Sequence, residues 1–118
     1  MYNLWKINWI LILKNILMEL TSYVEDVSYL LGSDLARKIL ESIYQNGIST
    51  PTLIAKEIKV SPSNVSTKLI ELKERGLVEC ITPNRRKGRL YLATKKGMKS
   101  IKIVRKIYFN GNIKQVEI

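Results

Sequence analysis

Residues 61–78, with the sequence SPSNVSTKLIELKERGLV, constrain the fold of this chain more than any other stretch. Ser61 can accept a hydrogen bond from an amide in the first turn of a helix, and Pro62 has no amide proton to leave unpaired, so the pair predicts an N-cap and the first helical residue. Gly76 can adopt the left-handed conformation that often follows the last helical turn. The stretch therefore predicts a helix over residues 62–75.

The two sides of this predicted helix differ in chemistry. Its apolar residues recur at intervals of four and three and form one stripe: Val65, Leu69 and Leu72. Small polar residues occupy the other faces near the N-terminus: Ser63, Asn64, Ser66 and Thr67. We expect the apolar stripe to pack in a core and the polar side to face a binding partner.

A second, shorter helix is predicted directly upstream. Thr50 and Pro51 repeat the pattern of cap and proline, and apolar residues continue it at Leu53, Ile54 and Ile58. Only Lys59 and Val60 separate this helix from the next. Two short helices joined by so brief a turn form the helix-turn-helix pattern.

Two predicted strands follow the pair of helices. Residues 77–81 and 89–93 are rich in apolar side chains and flank a segment that contains proline, asparagine and glycine. Residues 82–89 also carry four basic side chains: Arg85, Arg86, Lys87 and Arg89. The pattern predicts a β-hairpin with a basic tip, which would form a wing beside the two helices.

Residues 35–101 resemble the winged helix-turn-helix domain of the ArsR- and MarR-like transcriptional regulators. The resemblance rests on the run STPTLIAKEIKVSPSNVSTKLIELKERGLVE, the basic hairpin and the run YLATKKG. It implies a mostly α fold with a small β-hairpin, a long N-terminal helix and a C-terminal helix. It also implies sequence-specific binding of double-stranded DNA and regulation of transcription.

The first 32 residues predict a long helix. A heptad seam runs along it for three repeats, and we expect its members to form a homodimer interface: Trp9, Leu13, Ile16, Leu20, Tyr23 and Val27. Additional apolar residues widen the seam, so the helix should be buried on more than one side. The alternative is that this helix only covers its own domain.

A membrane role for this N-terminal segment is disfavoured. Lys6 and Lys14 bracket too short an apolar core for a signal peptide, and they interrupt a spanning helix, which needs about 20 nearly uncharged residues. An interfacial anchor stays open because of Trp5 and Trp9. Met18 offers an alternative translation start, in which case the segment before it would not belong to the native protein.

The patterns divide the chain into four segments. They are the N-terminal helix (1–32), the winged helix-turn-helix domain (33–94), a C-terminal helix (95–110) and a tail (111–118). Ile48 and Ser49 predict a short strand that pairs with the wing. Asn110-Gly111 predicts the end of the last helix, although the same dipeptide also favours a terminal hairpin.

Charge and composition indicate the class of partner. Residues 81–118 hold 11 of the 20 basic residues and one of the 10 acidic residues, so the net charge of +10 lies mainly on the wing and beyond it. A local positive field of this kind predicts a polyanionic partner. A chain of 118 residues also has a small core, and dimerisation would bury more surface.

The absence of histidine excludes several functions. With no histidine and one cysteine, Cys80, the chain has no imidazole for acid–base catalysis, no His/Cys metal site and no intrachain disulfide. We therefore expect no enzyme activity, metal or cofactor, and the single thiol suits the cytoplasm. The sequence does not identify a small-molecule effector, an operator or the direction of regulation.

In this interpretation the recognition helix, residues 62–75, enters the major groove and the wing, residues 82–89, holds the flanking backbone. We expect base contacts from Ser63, Asn64, Ser66 and Thr67. We expect backbone contacts from Ser49, Thr50, Thr52, Ser61, Lys68, Arg85, Arg86, Lys87 and Arg89. Two alternatives stay open: a winged-helix protein that coats nucleic acid with little specificity, and a protein- or membrane-interaction module that uses the N-terminal helix.

Three outward residues fit DNA binding less well. Glu71 and Glu74 would repel phosphate unless that end of the helix leaves the groove. Ile70 also points outward, and the wing is the element that we expect to cover it.

Overall fold

The computed structural model describes the backbone of residues 2–117 and the side chains of residues 8–108. Over this range the chain forms five helices and three short strands, in the order α1 (Tyr2–Gly32), α2 (Asp34–Asn46), β1 (Ile48–Ser49), α3 (Pro51–Ile58), α4 (Pro62–Glu74), β2 (Val78–Cys80), β3 (Tyr91–Ala93) and α5 (Lys95–Glu117). The predicted fold class, mostly α with a small hairpin, is confirmed. None of the described helices is long and apolar enough to span a membrane.

The two helices of the helix-turn-helix begin at the predicted caps. Thr50 Oγ1 accepts a hydrogen bond from the Leu53 amide at 3.2 Å, and Ser61 Oγ accepts one from the Asn64 amide at 3.3 Å. A proline fills the first turn of each helix. Each cap satisfies an amide that would otherwise have no partner within the helix, which fixes where the helix starts.

The end of α4 is joined to the start of α5. Gly76 has a φ of 75°, and the Leu77 amide donates to the Leu72 carbonyl at 3.0 Å, which is the Schellman arrangement. Thr94 Oγ1 donates to the Gly76 carbonyl at 2.6 Å and accepts from the Gly97 amide at 3.0 Å. One hydroxyl therefore caps α5 and binds the turn that ends α4.

The three strands form an antiparallel sheet in the order β1-β3-β2. Ile48 pairs with Leu92 and Ser49 with Tyr91, so the predicted pairing of residues 48–49 with a wing strand is confirmed. Both wing strands are shorter than predicted: β2 ends at Cys80 and β3 begins at Tyr91, and one further backbone hydrogen bond, from the Ile81 amide to the Leu90 carbonyl at 2.8 Å, lies beyond them. The segment between them forms an extended tip.

The core lies between α2, α3, α4, the sheet and the adjoining turns of α1 and α5. The predicted stripe of α4 is confirmed, since Val65, Leu69 and Leu72 are all fully buried. They belong to one cluster with residues of the other elements: Leu30, Ile39, Leu40, Ile43, Ile54, Leu77 and Ile101. This packing leaves the opposite face of α4 exposed.

The predicted seam of α1 divides into two parts. Val27 is only 9% exposed and packs in the core of its own chain, so its assignment to a dimer interface is wrong. The reason is that the last turns of α1 lie against α2 and α5, which bury this position from within. Tyr23 is half-buried, whereas every described residue from Asn8 to Ser22 is exposed.

The C-terminal helix is longer than predicted. α5 continues through Asn110-Gly111 to Glu117, so the assignment of residues 111–118 to a loose tail is wrong over residues 111–117. A glycine inside a helix costs about 1 kcal/mol relative to alanine, which is too little to end a helix by itself.

Candidate nucleic-acid interface

The N-terminal half of α4 presents a polar surface to solvent. Successive helical residues turn by about 100°, so Ser63, Thr67, Ile70 and Glu74 lie on the side opposite to the buried stripe. Ser66 and Asn64 lie on the two flanks of this outer stripe, and all six residues are exposed. The structure therefore places the four predicted base-contacting residues on one accessible surface.

Local hydrogen bonds order part of this surface. Thr67 Oγ1 donates to the Ser63 carbonyl at 3.0 Å, and the hydroxyls of Ser61 and Ser63 lie 3.3 Å apart. The Asn64 side-chain amide makes no hydrogen bond to any residue whose side chain the structure describes. That amide keeps its donor and acceptor available for a ligand.

The Lys68 side chain forms an ion pair along the surface of α4. Its Nζ lies 2.9 Å from Glu71 Oε2, and this hydrogen bond is the main reason that the pKa of Glu71 is lowered. The pair neutralises one of the two carboxylates that we expected to repel phosphate. Glu74 remains exposed one turn nearer the C-terminus.

Ile70 is not covered by the wing, contrary to the prediction. Its side chain is 56% exposed, because it projects from the outer stripe of α4 while the β2-β3 hairpin packs beyond Gly76. The helix that carries the polar surface thus also presents one large apolar side chain to solvent.

The wing tip carries the predicted cations. Thr82 Oγ1 accepts from the Leu90 amide at 2.9 Å, and Arg89 Nε donates to the Arg85 carbonyl at 2.6 Å. These bonds close the base of the tip. The side chains of residues 85–87 and 89 are all exposed, and none forms an ion pair with a described acidic residue.

The start of α3 differs from the prediction at one residue. Ser49 is only 2% exposed because it pairs with Tyr91 inside the sheet, so its predicted contact with the DNA backbone is wrong. Thr50 is half-buried and Thr52 is exposed, next to the first amides of the helix. These two residues still border a surface that an anionic group can approach.

Sequence reasoning missed a group of residues that joins α1 to the end of α4. The Arg75 guanidinium stacks on the Tyr29 ring, and Lys96 Nζ lies 3.3 Å from Asp26 Oδ2 and 3.1 Å from the Arg75 carbonyl oxygen. Burial, reinforced by the Glu71 carboxylate, raises the pKa of Tyr29 to about 12. Asp26 and Tyr29 are one turn apart on α1, so the sequence places them on the same face of that helix. It does not show that this face meets Arg75 and Lys96.

A capped recognition helix, a short turn before it and a sheet with a basic hairpin define a winged helix-turn-helix protein. Residues 33–79 match the model of the winged helix-turn-helix DNA-binding family, HTH_24. The resemblance predicted from the sequence is thereby confirmed. The match identifies a DNA-binding domain rather than a catalytic one, in agreement with the expectation that the chain is not an enzyme. No curated protein matches the sequence significantly.

Several solved structures share the fold. A mutant of ZitR from Lactococcus lactis is 24% identical with a TM-score of 0.64, over 72% of this chain and 58% of that one. A MarR family transcription regulator is 19% identical with a TM-score of 0.69, over 88% of this chain and 70% of that one. A transcriptional regulator homologue from Pyrococcus horikoshii OT3 is 18% identical with a TM-score of 0.62, over 81% and 98%.

Proposed function

We propose that this protein is a homodimeric transcriptional regulator that binds a specific sequence in double-stranded DNA. The observation that carries the proposal is the exposed polar half of α4, with Ser63, Asn64, Ser66 and Thr67 on one accessible surface of a helix whose other side is fixed in the core. A helix of this kind fits the major groove, where each base pair presents a distinct pattern of donors and acceptors.

Asn64 is the strongest candidate for reading a base. Its side-chain amide can donate to adenine N7 and accept from the adenine N6 amino group at the same time, and adenine alone offers this bidentate pairing. The hydroxyls of Ser63, Ser66 and Thr67 can donate or accept, so they add contacts of lower selectivity.

Phosphate contacts orient the protein on the duplex in this proposal. On the helix side they come from Thr50, Thr52, Ser61 and, within its pair with Glu71, Lys68. On the wing they come from Arg85, Arg86, Lys87 and Arg89, whose exposed charges attract the backbone. An arginine of the tip is also suited to a narrow minor groove beside the recognition site.

The exposed N-terminal half of α1 supports a homodimer. Its apolar side chains between residues 9 and 20 are each about half exposed or more: Trp9, Ile10, Leu11, Ile12, Leu13, Ile16, Leu17, Met18 and Leu20. A monomer seldom leaves so large a contiguous apolar surface in water. Pairing about a two-fold axis would bury it, with Trp9, Leu13, Ile16, Leu20 and the half-buried Tyr23 as the interface residues of the seam and half-sites about 34 Å apart.

Selection of genomic DNA fragments by the purified protein, across a salt series and alongside its mass in solution, tests this function. We expect a dimer that recovers a two-fold symmetric motif. The double substitution Asn64→Ala and Thr67→Ala should abolish the preference for that motif while the fold remains intact. Gln45→Ala, which alters an exposed polar residue of α2, is the matched control and should bind like the wild type.

A different result would assign a different function. If all fragments bind equally and affinity falls steeply with salt, the protein coats nucleic acid through its charge and does not select sequences. If DNA does not bind at all, the apolar segment of α1 becomes the main functional surface. Because that segment is apolar on every side, flotation with lipid vesicles would then test whether it lies in a membrane interface.

A further inference from the structure

We propose that Ile70 determines sequence specificity by contacting the 5-methyl group of a thymine in the major groove. The inference rests on the proposed function. It assigns a base contact to a residue that is not among the four polar residues proposed to contact bases. Ile70 projects from the outer stripe of α4, and its side chain is 56% exposed.

The position of Ile70 places it within reach of the same groove as the polar residues. It lies one turn after Ser66 and Thr67, and about 10 Å along the helix axis from Ser63. The major groove, about 12 Å wide, admits an α-helix, and a helix that lies along it can bring its third turn as well as its first two against base edges. The contact thus needs no change in the docking described for the polar residues.

The chemistry of the groove restricts what an isoleucine can contact there. Guanine, adenine and cytosine present hydrogen-bonding groups at their major-groove edges, whereas thymine also presents a methyl group. Phosphates offer only charged oxygens, from which an aliphatic side chain gains nothing. The thymine methyl group is therefore the partner against which Ile70 can remove its exposed apolar surface from water, and this burial is favourable.

The charges around Ile70 permit this approach. The adjacent carboxylate of Glu71 is paired with Lys68 Nζ at 2.9 Å, so this turn carries little net charge. Glu74, one turn further, is exposed and makes no ion pair among the described residues. Repulsion at Glu74, the last residue of α4, keeps the C-terminal end of the helix away from the DNA backbone, and Ile70 becomes the last residue of the helix that faces bases.

Replacing thymine by uracil in the selected operator tests the inference, because uracil lacks only the 5-methyl group. Each thymine is replaced in turn at symmetric positions of both half-sites, and the dissociation constant is measured for the wild type and for Ile70→Ala. For one symmetric pair of thymines, we expect wild-type affinity to fall about fourfold per half-site, or roughly fifteenfold in total. Ile70→Ala should bind the thymine operator about as weakly and should not distinguish the two operators.

Two control variants separate this contact from other apolar effects. Ile48→Ala truncates an exposed isoleucine of β1, which has no place in the proposed DNA contacts, and should keep the wild-type response to uracil. Ile103→Ala truncates an exposed isoleucine on α5, away from the recognition helix, and should also respond like the wild type. Circular dichroism and thermal melting confirm that each variant is folded.

The outcomes are distinct. Sequence-specific binding in which Ile70→Ala and the wild type lose the same affinity on uracil substitution overturns the role of Ile70 and leaves the proposed function standing. Recovery of no motif by the wild type overturns both.

Discussion

The guanidinium carbon of Arg75 lies 3.7 Å from the centroid of the Tyr29 ring. This contact joins the residue that follows the recognition helix to the last turns of α1. A cation over an aromatic ring contributes about 0.5–2 kcal/mol, depending on how far the pair is desolvated. The helix proposed to form the dimer is therefore in direct contact with the residue that ends the helix proposed to read DNA.

Replacement of Tyr29 by phenylalanine should remove a pH dependence of stability in alkali. The folded pKa of Tyr29, about 12, is above the unfolded value of about 10. A raised pKa means that the stabilisation is fully present below pH ~10 and is lost as pH rises through the folded pKa. The free energy of unfolding of the wild type should therefore fall more steeply than that of Tyr29→Phe between about pH 10 and pH 12.

Denaturant unfolding of both proteins at closely spaced pH values measures this difference, and tyrosinate absorbance in parallel shows when the phenol ionises. Parallel stability curves for the two proteins would show that Tyr29 keeps its ordinary acidity in the folded state.

Replacement of Gly97 by alanine should destabilise the fold. A Cβ at this position would overlap the Leu77 carbonyl oxygen and lie 3.0 Å from its carbon, so α5 would have to move away from the end of α4. Overpacking of this kind costs about 3 kcal/mol. The midpoint of chemical denaturation, compared with the wild type at equal protein concentration, measures the loss.

Gly32→Ala provides the opposite result as a control. Nothing lies within 4 Å of a Cβ added there, and the residue ends α1 in a helical segment. The substitution should raise stability by about 0.5–1 kcal/mol, because alanine loses less conformational entropy on folding. Equal losses at both glycines would mean that the close approach at Leu77 does not restrict residue 97.

Single substitutions Arg86→Ala and Lys87→Ala at the wing should weaken binding by the same factor for every DNA sequence. Each should also reduce the slope of log affinity against log salt by about 1, because each removes one phosphate contact. Affinity titrations at four salt concentrations give both quantities. Lys102→Ala, which removes an exposed charge from α5, should leave the slope unchanged; an identical drop there would attribute the effect to net charge alone.

Glutamate at both Leu13 and Ile16 should convert the protein to a monomer. These exposed residues lie on the proposed interface. Two carboxylates there would repel their counterparts in the partner subunit, and their burial would cost the free energy of removing charges from water. Mass in solution should halve, and affinity for the symmetric operator should fall at least 100-fold as the second half-site is lost. Ser22→Glu, on the same helix but outside the seam, should stay dimeric. A double variant that keeps the wild-type mass would reject the seam as the interface.

Local signals were sufficient to predict most of the DNA-binding domain. Ser61-Pro62 and Thr50-Pro51 define helix starts because the cap and the proline act within one turn, and Gly76 defines an end for the same reason. The buried stripe of α4 followed from its spacing. Such interactions join residues that are close in sequence, so the local pattern of residue types is enough to predict them.

Two of the incorrect predictions depend on neighbours that are distant in sequence. Val27 fits the seam, but α2 and α5 bury it from within the chain. Ser49 fits a phosphate contact until its pairing with Tyr91 places it in the sheet. The stacking of Arg75 on Tyr29 joins residues separated by 46 positions, and no spacing rule along one helix reveals it.

The separation of the exposed apolar segment of α1 from the polar face of α4 has a genetic consequence under the proposed dimer. A mutant subunit with a disabled recognition helix would keep its ability to pair and would capture normal subunits in mixed dimers with one functional half. Such an allele should act dominantly over the normal gene when it is overproduced, whereas a deletion of the gene should be recessive.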